Sequence, residues 1–300
     1  MGDTKEHISV CICTFKRPDL LLRLLNSLRK QRTDGLFTYS IVVADNDRAE
    51  SAKATTLAFA VESGVETKYC MEPTPNIALA RNTVVRNARG DYLAFIDDDE
   101  FPNDDWLLVM LKACKARNVA GVLAPVLPHF ETEPPAWLKR AGFYDRPRHA
   151  TGHVMAWEKS RTGNVLLRRS IIAGLEPVFT PAFGAGGEDL DFFRRMNAAG
   201  HKFIWCDEAP AYETVPPHRW TRGFLIRRAV LRGQQTFRQR KNRWKNVAKS
   251  AVAVPLYLIA LPFLLIAGHH HFMKYFVRMC DHGGRLLAML HLNPLSERNN

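Results

Sequence analysis

The first hundred residues alternate between short apolar runs and stretches whose apolar positions recur at helical spacing. The predicted buried strands are residues 8–14, 39–44, 65–70 and 92–96. The predicted helices between them are residues 19–30, 52–62 and 77–87. This βαβαβαβ order predicts a Rossmann-like, nucleotide-binding α/β sheet with helices on both faces. The first strand is not followed by a G-x-G-x-x-G loop or a Walker lysine, which disfavours dinucleotide and P-loop chemistry.

Four consecutive acids, Asp97 to Glu100, follow the fourth predicted strand directly. In α/β sheets, ligands bind just beyond the carboxyl ends of the strands. Adjacent carboxylates raise each other's pKa unless a cation neutralises them, and Asp97 and Asp99 could both reach one hard divalent ion. The pattern predicts a Mg²⁺ or Mn²⁺ site that also holds a diphosphate. The alternative is a solvated acidic turn before a helix at Trp106, with Asp104 as the helix cap.

A glycine-rich loop, residues 183–187, leads into a second group of acids after a predicted strand at residues 163–169. Glycines let the backbone approach a bulky substrate, and the dipole of a helix N-terminus keeps a carboxylate ionised, as a general base requires. Glu188, Asp189 and Asp191 are therefore candidate bases. The alternative is that these acids only cap a helix that runs to Gly200.

The net charge of +12 is concentrated in one segment. Residues 214–280 contain thirteen Lys and Arg, including Arg240 and Lys241, and no Asp or Glu, which leaves a net charge of −1 on residues 1–213. No nucleic-acid-binding motif accompanies this charge, so we expect no nucleic-acid partner.

An uncharged apolar segment of 17 residues, 251–267, follows the basic residues and contains Pro255 and Pro262. A straight membrane-spanning helix needs about 20 apolar residues, and proline kinks or breaks helices. The segment therefore predicts a surface-bound or re-entrant anchor on an anionic cytoplasmic leaflet. The alternative is a helical subdomain in which the apolar run is buried core. Residues 1–7 are polar and predict no secretory signal.

Five motifs occur in the order found in family 2 glycosyltransferases of the GT-A fold, which residues 8–215 resemble. The motifs are Thr14 to Pro18, the strand end at Asp45, Asn76 with Ala80 to Asn82, Asp97 to Asp99, and Gly187 to Asp189. Residues 215–220 and the basic, apolar tail are similar to the succinoglycan-type exopolysaccharide glucosyltransferases. The resemblance implies a GT-A domain at residues 1–215 and a membrane-associating helical tail at residues 216–300.

The resemblance also implies an activity: inverting transfer of one sugar, with glucose the best guess, from a UDP-sugar to a hydroxyl of a lipid-linked oligosaccharide. The acceptor would be a polyprenyl-diphosphate-linked glycan at the cytoplasmic face of a bacterial inner membrane, in exopolysaccharide or related glycan synthesis. The protein would be peripheral or monotopic.

The resemblance assigns roles to individual residues as well. The implied nucleotide-sugar-binding residues are Thr14, Arg17, Asp45, Asn76, Arg81, Asp97 and Asp98. Asp97 and Asp99 would hold Mn²⁺ or Mg²⁺, and Asp189 would be the base with Glu188 beside it. The implied acceptor or membrane residues are Arg219, Trp220 and Arg222.

The chain departs from the family pattern in two places, and alternatives stay open there. The acid cluster is Asp-Asp-Asp-Glu rather than a spaced pair, so the sequence does not decide which carboxylates bind the metal. Three acids remain candidate bases.

Two alternative functions stay open for this protein. One is a sugar-nucleotide nucleotidyltransferase, which would need a G-x-G-T-R loop that residues 14–17 do not supply. The other is a non-catalytic membrane or nucleic-acid binder.

Overall fold

The computed structural model describes residues 5–184, 186–238 and 243–292, so Ala185, Arg240 and Lys241 lie outside the described residues. The chain forms two compact units. The first contains Met1–Pro128 and Arg146–Glu213, and the second contains His129–Asp145 and Thr214–Asn300. Residues 129–145, which the sequence analysis places in the first region, therefore belong to the second unit.

A seven-stranded mixed sheet forms the first unit. The strands of the chain, in order, are β1 Glu6–Thr14, β2 Phe37–Asp45, β3 Thr67–Met71, β4 Tyr92–Ile96, β5 Glu100–Pro102, β6 Gly121–Leu123, β7 Val126–His129, β8 Asn164–Arg168, β9 Phe203–Trp205 and β10 Ala211–Thr214. The large sheet has the order β3-β2-β1-β4-β8-β6-β9, and β5, β10 and β7 form a smaller sheet. The first four strands are parallel, whereas β8 is antiparallel to both of its neighbours.

Helices cover both faces of the large sheet because side chains alternate along its buried strands. The helices of the first unit are α1 Pro18–Leu28, α2 Lys53–Ser63, α3 Ile77–Asn87, α4 Trp106–Ala116 and α6 Glu188–Ala198. Val10 and Ile12 of β1 pack in one core cluster with leucines of α1 and α4. Cys11, between them, packs in a second cluster with α3 and α6. This two-faced α/β sheet confirms the predicted fold class.

The sequence predicted the first half of this sheet closely. Helix α3 and strand β4 have the predicted bounds, and the ends of the other predicted strands and helices differ by at most two residues. One detail was wrong: the N-cap of α4 is Asp105 rather than Asp104, and it makes no side-chain capping hydrogen bond.

The α-helices in the described part of the second unit are α5 Ala136–Ala141, α7 Arg222–Arg238, α8 Arg243–Ala267 and α9 His269–Met289. Helices α7 and α9 approach closely at two glycines. A Cβ atom on Gly233 would lie 2.1 Å from the Asp281 carbonyl oxygen, and one on Gly284 would lie 2.3 Å from the Val230 carbonyl oxygen. Because real Cβ atoms do not approach backbone so closely, only glycine permits this helix pair.

Helix α8 continues through Pro255 and Pro262, so the prolines do not end it, and the expected kink stays a prediction. Each proline removes one backbone donor, but the neighbouring hydrogen bonds of the helix remain. At 1.5 Å per residue the whole helix is about 37 Å long, but its uncharged part, residues 251–267, is about 26 Å long, slightly less than the roughly 30 Å of a bilayer core. It is the one helix in the described part of the chain that is long and apolar enough to cross a membrane.

The apolar side chains of α8 are mostly exposed. Ile259 is 68% exposed, Phe263 70% and Ile266 86%, and only 11% of the apolar window is buried. The alternative that this run is buried core does not agree with these exposures.

Candidate active site

A cavity of about 610 Å³ opens at the carboxyl ends of β4, β6 and β9. Strand β8 runs in the opposite direction, so its first residue, Asn164, reaches the same edge. The charged residues that line the cavity are Arg81, Asp97, Arg146, Glu158, Lys159, Arg161 and Asp189. Of the sequence-predicted site residues, the structure therefore brings Arg81, Asp97 and Asp189 together.

The four consecutive acids point in different directions. Asp97 lines the cavity, and its side chain is 51% exposed. Asp98 is buried and accepts hydrogen bonds from Thr14 Oγ1 at 2.7 Å and from Arg17 Nη1 at 3.2 Å. Asp99 accepts from the same arginine nitrogen at 3.2 Å. Arg17 therefore neutralises part of the cluster without any metal ion.

Burial, rather than mutual repulsion, is the largest cause of the raised pKa values in this cluster. It raises the pKa of Asp98 from 3.8 to about 6, against the opposing hydrogen bond from Thr14 and the charge of Arg17. It also raises the pKa of Glu100 well above the usual range, because this carboxyl is 3% exposed. Restricted hydration raises the pKa of Asp97 too, while the charge of Arg81 opposes that shift.

Arg81 links the acid cluster to the glycine-rich loop. Its Nη1 donates to Glu188 Oε1, and its Nη2 lies 3.8 Å from Asp97 Oδ1. The side chains of Arg81 and Glu188 are only 10% and 5% exposed. Burial raises the pKa of Glu188, and the guanidinium opposes this shift. Arg81 therefore holds the start of α6 beside the end of β4.

Two asparagines of α3 fix the segment that precedes the glycine-rich loop. The Asn76 side chain caps α3 and donates to the Pro181 carbonyl oxygen at 3.0 Å. Asn82 donates to the Phe179 carbonyl oxygen at 2.7 Å and accepts from the Phe179 amide at 2.8 Å. A Cβ atom on Gly184 would lie 2.1 Å from Asn76 Cγ, so glycine is required at this approach. The loop is thereby bound to α3 at both of these asparagines.

The contacts of Asp191 indicate a structural role in the first turn of α6. Burial alone would raise its pKa, but three hydrogen bonds together lower it. The donors, at 2.7 to 2.9 Å, are Arg194 Nη2, Thr180 Oγ1 and Arg195 Nε. Asp191 is also absent from the cavity lining.

Asp189 is the one of the three candidate bases that lines the cavity. Its Oδ2 lies 3.8 Å from Arg161 Nε, and its Oδ1 accepts from the Leu190 amide at 2.7 Å. It lies in the first turn of α6, where the helix dipole favours an ionised carboxylate. The geometry therefore favours Asp189 over Glu188, whose Oε1 is bonded to Arg81.

Asp45 is fully buried, although the resemblance makes it a nucleotide-sugar-binding residue. Its Oδ2 accepts from the Ala52 amide at 2.7 Å and from the Tyr69 hydroxyl at 3.2 Å. These bonds order the turn between β2 and α2. Thr14 is likewise buried, at 2% exposure. Direct contact of either residue with a nucleotide stays a prediction.

Sequence reasoning missed several cavity residues. Arg146, His149, Arg161 and Trp205 line the cavity but come from separate loops and a strand end. Gly163 is a further one, because a Cβ atom there would lie 3.1 Å from Asp97 Oδ2. The only sequence signal for Gly163 was its place as the first residue of the predicted strand, 163–169.

The acids fit a divalent ion only in part. Among the residues that the structure describes, no three His, Cys, Asp or Glu side chains are grouped as a metal site. Mg²⁺ and Mn²⁺, however, are often held by one or two carboxylates together with water and substrate phosphates. The accessible carboxylate of Asp97 fits such a donor set, whereas Asp99 is 21% exposed and shares Arg17 with its neighbour.

The predicted acceptor or membrane residues lie in an aromatic cluster of the second unit. Trp220 packs edge-on against Phe130, and its Nε1 donates to the Val215 carbonyl oxygen at 2.9 Å. The Arg222 guanidinium lies 5.7 Å from the centre of the Trp137 ring. The Arg219 carbonyl oxygen accepts from the Tyr144 hydroxyl at 2.7 Å. The acceptor role of these residues stays a prediction.

Comparisons with known proteins identify the family of the chain. Glycosyl transferase family 2 matches residues 9–172. The succinoglycan biosynthesis protein ExoM of Rhizobium meliloti (strain 1021) is 36% identical over 238 residues, which are 78% of this chain and 75% of that protein.

Solved structures share the fold at low identity. The mannosyltransferase PcManGT from Pyrobaculum calidifontis, in complex with GDP-Man and Mn²⁺, is 17% identical with a TM-score of 0.63, over 96% of this chain and 87% of that one. S. aureus TarS 1–349, in complex with UDP, is 14% identical with a TM-score of 0.55, over 97% and 93%. With the family matched over more than half of its length, the chain belongs to glycosyl transferase family 2 and is a glycosyltransferase of GT-A-like fold.

Proposed function

We propose that this protein transfers a single sugar, with glucose the best guess, from a UDP-sugar to a hydroxyl of a lipid-linked oligosaccharide, with inversion at the anomeric carbon. The observation that carries the proposal is that Asp189, Asp97 and Arg81 line one cavity at the carboxyl edge of the sheet. The similarity to a succinoglycan biosynthesis protein supports a role in exopolysaccharide synthesis. The family membership disfavours the nucleotidyltransferase and non-catalytic alternatives.

The donor diphosphate is proposed to bind between Arg81 and the acid cluster. Asp97, with Asp99, would hold Mn²⁺ or Mg²⁺, which would neutralise charge on the departing diphosphate. The PcManGT and TarS complexes, with GDP-Man and Mn²⁺ and with UDP, support a nucleotide-sugar donor. Arg81 can serve both its partner Glu188 and a phosphate, because a guanidinium has five donors.

Asp189 is proposed to act as the general base on the acceptor side. Its carboxylate would remove the proton of the acceptor hydroxyl while the oxygen attacks the anomeric carbon. The bond from that carbon to the diphosphate breaks in the same displacement, so the configuration inverts. Glu188 would act through Arg81 as a positioning residue.

The remaining predicted donor residues are proposed to position this site. Asp98 ties Thr14 and Arg17 to the acid cluster, while Asn76 holds the glycine-rich loop. Asp45 orders the turn after β2. We propose that these contacts preorganise the nucleotide site, a condition for efficient transfer.

The tail is proposed to associate with an anionic membrane at the cytoplasmic face of a bacterial inner membrane, as a peripheral or monotopic protein. The exposed apolar side chains of α8 and the basic residues of the tail support this. Residues 1–215 would carry the transfer site and residues 216–300 the membrane association, with residues 129–145 packed in the second unit.

The test is turnover by the purified full chain with membrane lipid extract, across UDP- and GDP-sugars, with and without Mn²⁺. Asp189→Asn should lower kcat by a factor on the order of 10² to 10⁴ while the Kd for UDP stays unchanged. The matched control is Asp104→Asn, which removes an exposed carboxylate outside the cavity lining. Absence of nucleotide binding under every metal condition would overturn the proposal.

A further inference from the structure

The second unit contains a basic pocket of about 230 Å³ between α5, α7 and α9. Apolar side chains of Leu225, Ala229 and Val277 form part of its lining. The basic residues that line it are Arg228, Arg232, Lys274 and Arg278, which we call the cation pocket. It has no role in the chemistry assigned to the cavity of the first unit.

The positions of these four residues place like charges next to each other. Arg228 and Arg232 are four residues apart on α7, and Lys274 and Arg278 are four residues apart on α9. Like charges at this spacing lie on the same helix face and destabilise the helix. Two such pairs facing one pocket therefore create a local excess of positive charge that a bound anion would relieve.

Nearby acids neutralise only part of this charge. Arg232 Nε bonds Asp281 Oδ1 at 2.8 Å, and Asp281 also pairs with Arg285. Among the residues that the structure describes, Arg228 and Lys274 form no ion pair. The Arg278 guanidinium lies 5.2 Å from the centre of the Tyr275 ring.

The helices that carry the cations are held rigidly against each other. The close approach at Gly233 and Gly284 fixes α7 on α9, and the bond from Arg232 to Asp281 crosses the same contact. One further carboxylate, Asp145, approaches the rim at Gly142. The pocket therefore presents guanidinium and ammonium groups from two closely packed helices with a net positive charge, the arrangement that favours a phosphate group with several negative charges.

We infer that the cation pocket binds the diphosphate group of a membrane lipid, an inference that rests on the proposed function for the identity of that lipid. Arginines recognise phosphate oxygens through paired N–H donors, and a lysine adds a point charge. The apolar part of the lining suits the first carbons of a lipid chain. Helix α8, which packs on α9 in the same unit, exposes the apolar surface that would bring this unit to a bilayer.

The test measures binding of the full chain to phosphatidylcholine vesicles that contain either a long-chain prenyl diphosphate or charge-matched phosphatidylglycerol. The variant is Arg228→Ala with Lys274→Ala. The matched control is Lys245→Ala with Lys249→Ala, which removes two exposed charges from α8 outside the pocket lining. We expect the unmodified protein and the control to prefer the diphosphate vesicles by about tenfold, and the pocket variant to lose this preference.

Retention of the preference by the pocket variant, or an equal loss in the control, would overturn the inference. The Gln variants at the same two positions keep the side-chain bulk and should show the same loss, which separates lost charge from lost folding. A soluble arm uses inorganic pyrophosphate. If it binds the pocket while the vesicles show no diphosphate preference, the ligand is a free phosphate compound and the lipid assignment is wrong.

Donor hydrolysis by the unmodified protein in detergent separates this inference from the proposed function. No turnover of any nucleotide sugar, together with a diphosphate preference that the pocket variant loses, would refute the transferase proposal and leave the lipid site standing. Turnover without any vesicle preference would refute the lipid site alone.

Discussion

Gly184→Ala should destabilise the first unit through a single contact with Asn76. The backbone of Gly184 has φ of −63°, which any residue adopts, so alanine adds no backbone strain. Its Cβ atom, however, would lie 2.1 Å from Asn76 Cγ and Nδ2. The Asn76 amide must therefore leave its position.

The expected magnitude follows from the bonds that Asn76 would lose. Its Oδ1 caps α3 by accepting from the Leu79 amide at 3.1 Å, a contact worth about 1 kcal/mol. Its Nδ2 donates to the Pro181 carbonyl oxygen, which adds about 1 kcal/mol. Gly184→Ala should therefore lower the free energy of unfolding by about 2 kcal/mol.

A double-mutant cycle tests the mechanism. Asn76→Ala removes the same two bonds and should cost about 2 kcal/mol, and the double variant should cost about 2 rather than 4 kcal/mol because the clash has gone. Urea unfolding in detergent, followed by tryptophan fluorescence, measures all three. Gly223→Ala is the matched control, since its Cβ would meet nothing within 4 Å and helix propensity predicts a neutral or slightly stabilising effect. Additive losses in the double variant, or a neutral Gly184→Ala, would refute the reasoning.

Four further predictions concern charged groups. Arg81→Met should lower the free energy of unfolding, measured in urea, by about 3 to 5 kcal/mol, because it leaves the buried Glu188 carboxylate without its partner. Adding Glu188→Gln should restore part of this loss. The pKa of Asp191 is lowered in the folded state, so its carboxylate stabilises the fold above the unfolded-state pKa of about 3.9. This stabilisation is lost as the pH falls through the folded-state pKa. Asp191→Asn should therefore lower Tm at pH 7 and change Tm little at a pH below the folded-state pKa. The pKa of Asp98 is raised from 3.8 to about 6, so between these pH values the folded state binds more protons than the unfolded state. The free energy of unfolding should therefore fall by up to about 3 kcal/mol as pH rises from 3.8 to about 6. Asp98→Asn should flatten the dependence of Tm on pH in this range. Binding of Mn²⁺ with UDP should release protons, because the pKa of Asp97 is raised in the free protein and the ion favours the ionised carboxylate; calorimetry that shows equal heats in buffers of different ionisation enthalpy would contradict this.

Local patterns were sufficient to predict the strands and helices of the first hundred residues. The start of helix α3 was marked by the capping Asn76. Strand β4 was a continuous apolar run that ended at a charge. Such signals depend on neighbours in the chain, which is why they are visible in the sequence.

The site itself depends on pairs that are far apart in the chain. Arg81 and Glu188 are separated by 107 residues, and Thr14 and Asp98 by 84. Nothing in one sequence shows that Arg17 would occupy two of the acids that a metal ion was expected to neutralise. The membership of residues 129–145 in the second unit also depends on packing, because its aromatic side chains bury against α7 and α9.

The bonds from Asn76 and Asn82 to the segment before the glycine-rich loop have a consequence for the order of events during synthesis. These bonds join residues about a hundred positions apart, and the cavity lining extends to Trp205, so a nascent chain cannot complete the site until β9 has been made. All of the cavity residues nevertheless precede α8 in the chain. Because domains generally fold as units during translation, the first unit can complete its cavity while the apolar helix is still unmade. The ribosome would then deliver a folded first unit ahead of the apolar helix α8.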